Sequence, residues 1–222
     1  LCRLLGGCHK KHLEEIMRYE VWEKLAHKYN NLWVQKYSLG PTRREVRSVL
    51  LPLLEANPDS RILEIGCGTG QLIREIGEVY KNVDYLGIDV AENMVEIAKR
   101  NNDGLRMKFR VCPVEEFSET GQYDIIYCTH AFPYFPDKAA VVKKMADLCK
   151  KGGTVVIANS STNNPKDLLI NFFLKATTSE AKYLSIKKMK KLFAEAGLTV
   201  KEVRIIREKR YMPTIAMFHT ER

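Results

Sequence analysis

The sequence predicts an α/β protein: a mostly parallel sheet with helices packed on both faces. Short apolar runs rich in β-branched residues, at 62–65, 83–88, 123–128 and 154–158, have the length and composition of buried strands. Segments with apolar residues at helical spacing separate them, and this alternation demands right-handed crossovers and a parallel sheet. The first strand runs into Gly66-Cys67-Gly68-Thr69-Gly70, a glycine turn that feeds the amphipathic segment 71–80. Glycines let the backbone approach a ligand, and the following helix start offers unpaired N–H groups.

Residues 1–12 lack periodicity. From Leu13 the apolar positions Ile16, Met17, Val21, Leu25 and Tyr29 recur at three and four, as on an amphipathic helix. Tyr29, Trp33 and Tyr37 extend that spacing into one aromatic stripe, which packs on the core or covers a ligand. Gly40-Pro41 breaks the chain. Thr42 then stands three residues before Glu45, a capping-box pattern, and predicts a helix from there to about Glu55. The second strand ends in Asp89. A helix over 91–101 buries Met94, Val95, Ile97 and Ala98, and 105–111 is the third strand.

Tyr123 to Cys128 is almost unbroken in its apolarity, as suits the middle of a parallel sheet. A helix over 137–149 is stopped by Lys151-Gly152-Gly153, and another over 185–196 is closed by Gly197. The runs 198–207 and 214–219 have no helix between them and read as an antiparallel hairpin. All of this fits one domain, 1–222, with a helical cap over 1–41 and an insertion at 160–183. The centre of that insertion, 168–174, is apolar nearly all round. It is buried against the domain, forms a lid over substrate, or offers a surface to a membrane or partner.

Composition narrows the class. With 45% hydrophobic and 28% charged residues the chain reads as a soluble globular protein. The net charge of +9 leaves room for an acidic partner, although ordinary solubility accounts for it. The lysines at 187, 188, 190 and 191 read as the solvated face of a helix. Six cysteines, at 2, 8, 67, 112, 128 and 149, show no disulfide spacing, so a reducing, cytoplasmic setting is expected. Cys8, His9 and His12 lack a second pair of ligands, and no metal is expected. No apolar run reaches membrane-span length, and Leu1-Cys2-Arg3-Leu4-Leu5 is too short for a secretory signal.

The spacing of the glycine turn separates two cofactors. A nicotinamide-binding turn wants G-x-G-x-x-G; here the spacing is G-x-G-x-G, with Gln71 where a third dinucleotide glycine would stand. Glu64 precedes the first glycine by two positions, and Asp89 lies 19 residues beyond Gly70. An acid at such a strand end is placed to accept from ribose hydroxyls. This E-x-G-x-G-x-G pattern with its downstream acid resembles the class I S-adenosylmethionine-dependent methyltransferases. The resemblance covers residues 42–222 and implies a Rossmann-like sandwich around seven strands, the last reversed, with S-adenosylmethionine as cofactor.

The resemblance also implies roles. Gly66, Cys67, Gly68 and Gly70 pass close to the methionine part, and Glu64 orients its amino group. Asp89 takes both ribose hydroxyls, while Val90 and Met94 enclose the adenine. The family often carries an acid after the third strand; here Cys112-Pro113-Val114 stands there, so backbone groups or Glu115 must serve. Thr129 and His130 close the fourth strand. His130 is the candidate base, or it only hydrogen-bonds substrate or neighbours, and Tyr134 is a weaker alternative. Tyr29, Trp33, Tyr37, Phe172 and Phe173 are expected to line or cover the substrate.

The loop Cys128-Thr129-His130-Ala131-Phe132-Pro133-Tyr134 lacks the N/D-P-P-Y/F tetrapeptide of many amine-directed enzymes. It looks more like the small-molecule branch that includes quinone-ring methyltransferases. An RNA methyltransferase, favoured by the charge alone, and a non-catalytic S-adenosylmethionine-binding protein stay open as alternatives. No nucleic-acid-binding module is visible. The acceptor, its accepting atom and the oligomeric state are not legible in the sequence.

Overall fold

The computed structural model describes residues 20–81, 83–119, 122–178, 181–209 and 212–222, with the backbone alone for 173–178. Ile16 and Met17, and with them the start of the expected first helix, lie outside the described residues, as do Cys2, Cys8, His9 and His12.

Seven strands form one sheet: β1 (Arg61–Ile65), β2 (Asp84–Asp89), β3 (Met107–Val111), β4 (Tyr123–Thr129), β5 (Cys149–Ser160), β6 (Thr199–Ile206) and β7 (Ile215–Glu221). Their spatial order is β3-β2-β1-β4-β5-β7-β6. β1 pairs in parallel with β2 on one side and β4 on the other, so the strand order reverses at the centre. β7 is antiparallel to both β5 and β6, which is the expected reversed last strand.

The helices are α1 (20–29), α2 (Gly40–Ala56), α3 (Gln71–Gly77), α4 (Glu92–Asn101), α5 (Lys138–Leu148), α6 (Pro165–Thr178) and α7 (Ile186–Glu195). Side chains alternate across each strand, so each apolar run feeds two cores. Leu63, Ile65, Ile126 and Ile157 face α5 and α7. Ile62, Ile125, Tyr85 and Tyr127 face Leu50 and Leu54 of α2, Ile73 of α3 and Val95 of α4. Caps are local where the sequence supplies them: Asp137 accepts from Ala140 N–H, and Ser185 from Lys188 N–H.

Three expectations need correction. α2 begins at Gly40, two residues before the expected cap, because a π-helical turn over Gln35–Leu39 runs straight into it. Pro41 breaks nothing there, since the first helical turn needs no N–H from it. The Thr42 hydroxyl bonds back to Ser38 O at 2.8 Å instead of capping. Second, the helix before β5 ends at Leu148, not Cys149. Cys149 already pairs with Tyr123 as strand, and the glycines at 152 and 153 sit within β5, where the register shifts.

Third, α6 is turned inside out. Asp167 and Asn171 are buried, while Leu168, Leu169 and Phe172 are exposed. Asp167 accepts from Thr214 N–H at 3.2 Å, Thr214 Oγ1 at 2.8 Å and Asn164 Nδ2 at 2.9 Å, and pairs with Arg207. Asn171 joins Ser160 Oγ and donates to Ser161 O. The hydroxyls and backbone donors at the edge of β5 and β7 require acceptors, so the polar residues of α6 point inward. Of the three readings of the insertion's apolar centre, burial against the domain therefore fails for Leu168, Leu169 and Phe172. Asp167→Ala strands several buried donors, each costing about 1–3 kcal/mol. Chemical denaturation should show a loss on the order of 2–4 kcal/mol, against within about 0.5 kcal/mol for Leu168→Ala on the exposed face. Equal losses would contradict this packing.

Candidate active site

The ends of β1, β2 and β4 meet around the glycine turn. Gly66 and Cys67 N–H groups both donate to Ile88 O, at 2.8 and 3.0 Å. Gly68 N–H donates to Asp89 Oδ2 at 2.8 Å, and Ala91 N–H donates to Oδ1 of the same carboxylate at 3.0 Å. Burial raises the Asp89 carboxyl above its ordinary value, and these N–H donors oppose the rise. The three glycines all have positive φ but serve different ends. A Cβ on Gly66 would meet Ala131 Cβ at 2.3 Å, and one on Gly70 would meet Asn102 Nδ2 at 2.6 Å. Only Gly68 is open, with nothing nearer than Tyr29 Cε1 at 3.8 Å.

Above that open glycine lies a cleft bounded by Glu64, Arg43, Tyr29, Gln71, Thr129 and His130. Glu64 is buried, and Tyr85 and Tyr127 both donate to its Oε2, at 2.5 and 3.0 Å. Burial pushes its carboxyl up to about 8. Arg43, on α2, donates to Glu75 at 2.9 Å, Gln35 at 2.8 Å and Gln71 at 2.9 Å. Those bonds use Nε and Nη1 and leave Nη2 without a partner among the described residues. Sequence reasoning missed Arg43, because its helix was read only as capped at Thr42 and was not tied to the glycine turn.

His130 sits at φ +59°, a left-handed conformation that a non-glycine residue adopts at some cost. Its Nε2 is 2.9 Å from Thr42 Oγ1. Thr42's single proton goes to Ser38 O, so Thr42 accepts, Nε2 carries the imidazole hydrogen, and Nδ1 is the acceptor. Burial, with Arg43 nearby, holds the imidazole down at about 4, and it is neutral at pH 7.

The cap differs from the expected stripe. α1 ends at residue 29, so Tyr29, Trp33 and Tyr37 do not share one helix. Tyr29 reaches the cleft, whereas Trp33 is 58% exposed and Tyr37 lies on the π turn under Lys36. α1 is fastened elsewhere: the Glu23 carboxylate accepts from Glu92 and Asn93 N–H, at 2.6 and 2.9 Å, capping α4 from a distance. This sets Trp22 edge-on to Tyr134 at 4.9 Å and to Tyr29 at 6.5 Å, an aromatic cluster beside the cleft that includes a residue the sequence reading passed over.

The remaining predicted residues divide. Val90 is half-buried beside Asp89, but Met94 packs under Ala26 and Ala91. Cys112 N–H donates to Asp89 O at 2.9 Å, Pro113 is half-buried, and Val114 belongs to the core with Phe117. Phe172 is 67% exposed on α6, and the Phe173 side chain lies outside the described residues. A second depression, about 290 Å³, opens at the amino ends of the strands among Arg61, Lys108 and Arg110. Its charges pair with each other, Arg61 with Asp84 and Arg110 with Glu119, far from the glycine turn.

Residues 40–203 match the family described as methyltransferase domain. The chain belongs to that family. A ubiquinone biosynthesis O-methyltransferase of Bordetella avium (strain 197N) is 34% identical over 137 residues, covering 60% of this chain and 54% of that protein. The corresponding protein of Acinetobacter baumannii (strain ACICU) is 30% identical over 157 residues, covering 64% and 65%. The chain thus spans between about half and two thirds of these relatives' lengths. Among solved structures, magnesium protoporphyrin IX methyltransferase from Synechocystis PCC 6803 with bound SAM superposes with a TM-score of 0.65 at 18% identity, covering 86% and 84% of the two chains. Geranyl diphosphate C-methyltransferase from Streptomyces coelicolor A3(2) does so with 0.66 at 13%, covering 81% and 80%. These last two establish the methyltransferase fold.

The His130 environment sets a pH dependence. An unfolded imidazole titrates near 6.5 and the folded one at about 4. Above the unfolded value both states are neutral. Between the two values only the unfolded chain takes up the proton, so stability falls as pH falls through that window. Asn tolerates the same backbone region, so His130→Asn should blunt the fall in melting temperature between about pH 7 and 4.5. A difference between variant and wild type that is constant with pH would contradict the buried neutral imidazole.

Proposed function

We propose that this methyltransferase-family chain transfers the methyl group of S-adenosylmethionine to a hydroxyl of a small, ring-bearing acceptor. One observation carries the reading: an acid and a guanidinium flank the single open glycine, and a carboxylate stands at the next strand end. The methionine part of the cofactor bears an ammonium and a carboxylate, which suit Glu64 and Arg43. Its ribose diol suits Asp89, whose carboxylate has acceptor capacity beyond the two N–H groups it takes. A Cβ on Gly68 would meet only Tyr29 Cε1, in ordinary contact at 3.8 Å, and so would project into the cleft that the bare backbone leaves free. A nicotinamide dinucleotide is not expected, since Gln71 stands in place of the third glycine.

Bound S-adenosylmethionine supplies a methyl group already activated by its sulfonium. The chain's own contribution is alignment, which can be worth ~7–11 kcal/mol, and exclusion of water. Tyr29 lines the cleft, and Trp22 and Tyr134 continue an aromatic cluster from it that suits a flat acceptor ring. The relatives named ubiquinone biosynthesis O-methyltransferase support a hydroxyl as the accepting group.

His130 is an acceptor here, not a strong base. A phenol titrates near 10 and this imidazole near 4, so full proton abstraction beforehand costs about 8 kcal/mol. Nδ1 instead orients the hydroxyl and takes its proton as the oxygen, bonding to carbon, becomes strongly acidic. The proton then passes to solvent.

Calorimetry should find binding of S-adenosylhomocysteine and none of NAD. Arg43→Met should weaken it by about 1.5–3 kcal/mol, and Asp89→Ala by at least as much because it also frees the glycine turn, with the helix and strand content seen by circular dichroism kept. Methyl-labelled cofactor should label catechol- or quinol-type acceptors. Tight NAD binding, or wild-type affinity in both folded variants, would reverse the assignment.

A further inference from the structure

Glu64 stands on the apolar face of the sheet, and the register explains its surroundings. Its neighbour on β2 is Gly87 and its neighbour on β4 is Tyr127. Tyr85 lies two residues before Gly87, on the same face, and its ring can pass over that strand only because Gly87 has no side chain. A Cβ there would sit 2.5 Å from the Tyr85 hydroxyl. Two phenols thus converge on one oxygen, Oε2, and leave Oε1 without a recorded donor among the described residues. Among the described residues no cation is paired with this buried carboxyl, since Arg43 is turned to Glu75, Gln35 and Gln71.

We propose that Tyr85 and Tyr127 are positioning residues that hold Glu64 as a proton-exchanging receptor for the cofactor's ammonium, so that cofactor binding expels one proton from the cleft. This rests on the reading of the cleft as an S-adenosylmethionine site. Without cofactor, a carboxyl closed in by Ile62 and Ile125 of the same sheet face is more stable protonated, and its raised value of about 8 agrees. The groups that interact with it are Tyr85 and Asp89 from β2, Tyr127 and Cys128 from β4, Cys67 from the turn, Arg43 from α2 and Tyr29 from α1. Of these, Asp89 opposes ionisation and Arg43 favours it, while the two phenol hydrogen bonds favour the anion. An ammonium at Oε1 supplies the missing positive charge. The Glu64 O–H bond then breaks, its proton leaves to buffer, and the ammonium keeps all of its own.

The test is calorimetric titration at pH 7 in two buffers of different ionisation enthalpy. S-adenosylhomocysteine carries the ammonium; 5′-methylthioadenosine keeps the ribose and adenine but lacks the amino-acid part, and so reports any proton taken up or lost at Asp89. Wild type should release close to one proton with the first ligand and none with the second, and the release should vanish above about pH 9. Glu64→Gln should release none and bind S-adenosylhomocysteine at least tenfold more weakly, with methylthioadenosine affinity unchanged. Tyr85→Phe and Tyr127→Phe should weaken only S-adenosylhomocysteine and move the midpoint of its pH profile upward. Equal release with both ligands, no release with S-adenosylhomocysteine, or release persisting in Glu64→Gln would overturn the proposal. Failure of S-adenosylhomocysteine to bind at all would overturn the cofactor reading, and this inference with it.

Discussion

The rest of the site hangs on the bridge between the ends of β1 and β2. Ile88 O takes the N–H groups of Gly66 and Cys67, and the Asp89 carboxylate takes those of Gly68 and Ala91. One strand end thereby folds the turn that follows its neighbour. The turn then seats α3, packs Gly66 on Ala131 of the β4 loop, and anchors Asn30 at the end of α1 through Thr69. Loss of the carboxylate frees the turn as well as any ribose contact. All three glycines hold positive φ, although only Gly66 and Gly68 line the cleft.

Groups that cost stability are gathered at these strand ends. His130 holds a left-handed backbone and a neutral imidazole, and Glu64 and Asp89 are carboxyls raised by burial. Strained backbone and displaced titrations of this kind cluster where a protein binds or reacts. The surrounding sheet tolerates them because both of its faces are covered: Phe193 and Phe218 on one side, Leu50 and Leu54 on the other, are fully buried.

Much of this was legible in the sequence because it is local. The strand runs, the glycine turn, Asp89 at the end of β2 and the closing hairpin each announce themselves within ten residues. What escaped is long-range. Arg43 reaches the cleft only because a π turn carries the chain into α2 before Thr42, and nothing in Gly40-Pro41 signals that continuity. The phenols of Tyr85 and Tyr127 looked like apolar strand residues; their hydroxyls, which need partners when buried, were the available clue. Glu23 caps α4 across 69 residues of sequence, and so sets Trp22 against Tyr29 and Tyr134. α6 misled because hydropathy counts apolar residues and cannot see that Asp167 is wanted inside by Thr214.

The central claim is that opposite charges on β1 and α2 grip the two ends of an amino acid above an open glycine. A crystal structure with S-adenosylhomocysteine tests it most directly. The account predicts the ligand's ammonium within hydrogen-bonding distance of Glu64, its carboxylate on Arg43, and its ribose hydroxyls on Asp89. A ligand seated elsewhere, or seated here with Glu64 and Arg43 both turned away from it, would contradict the account.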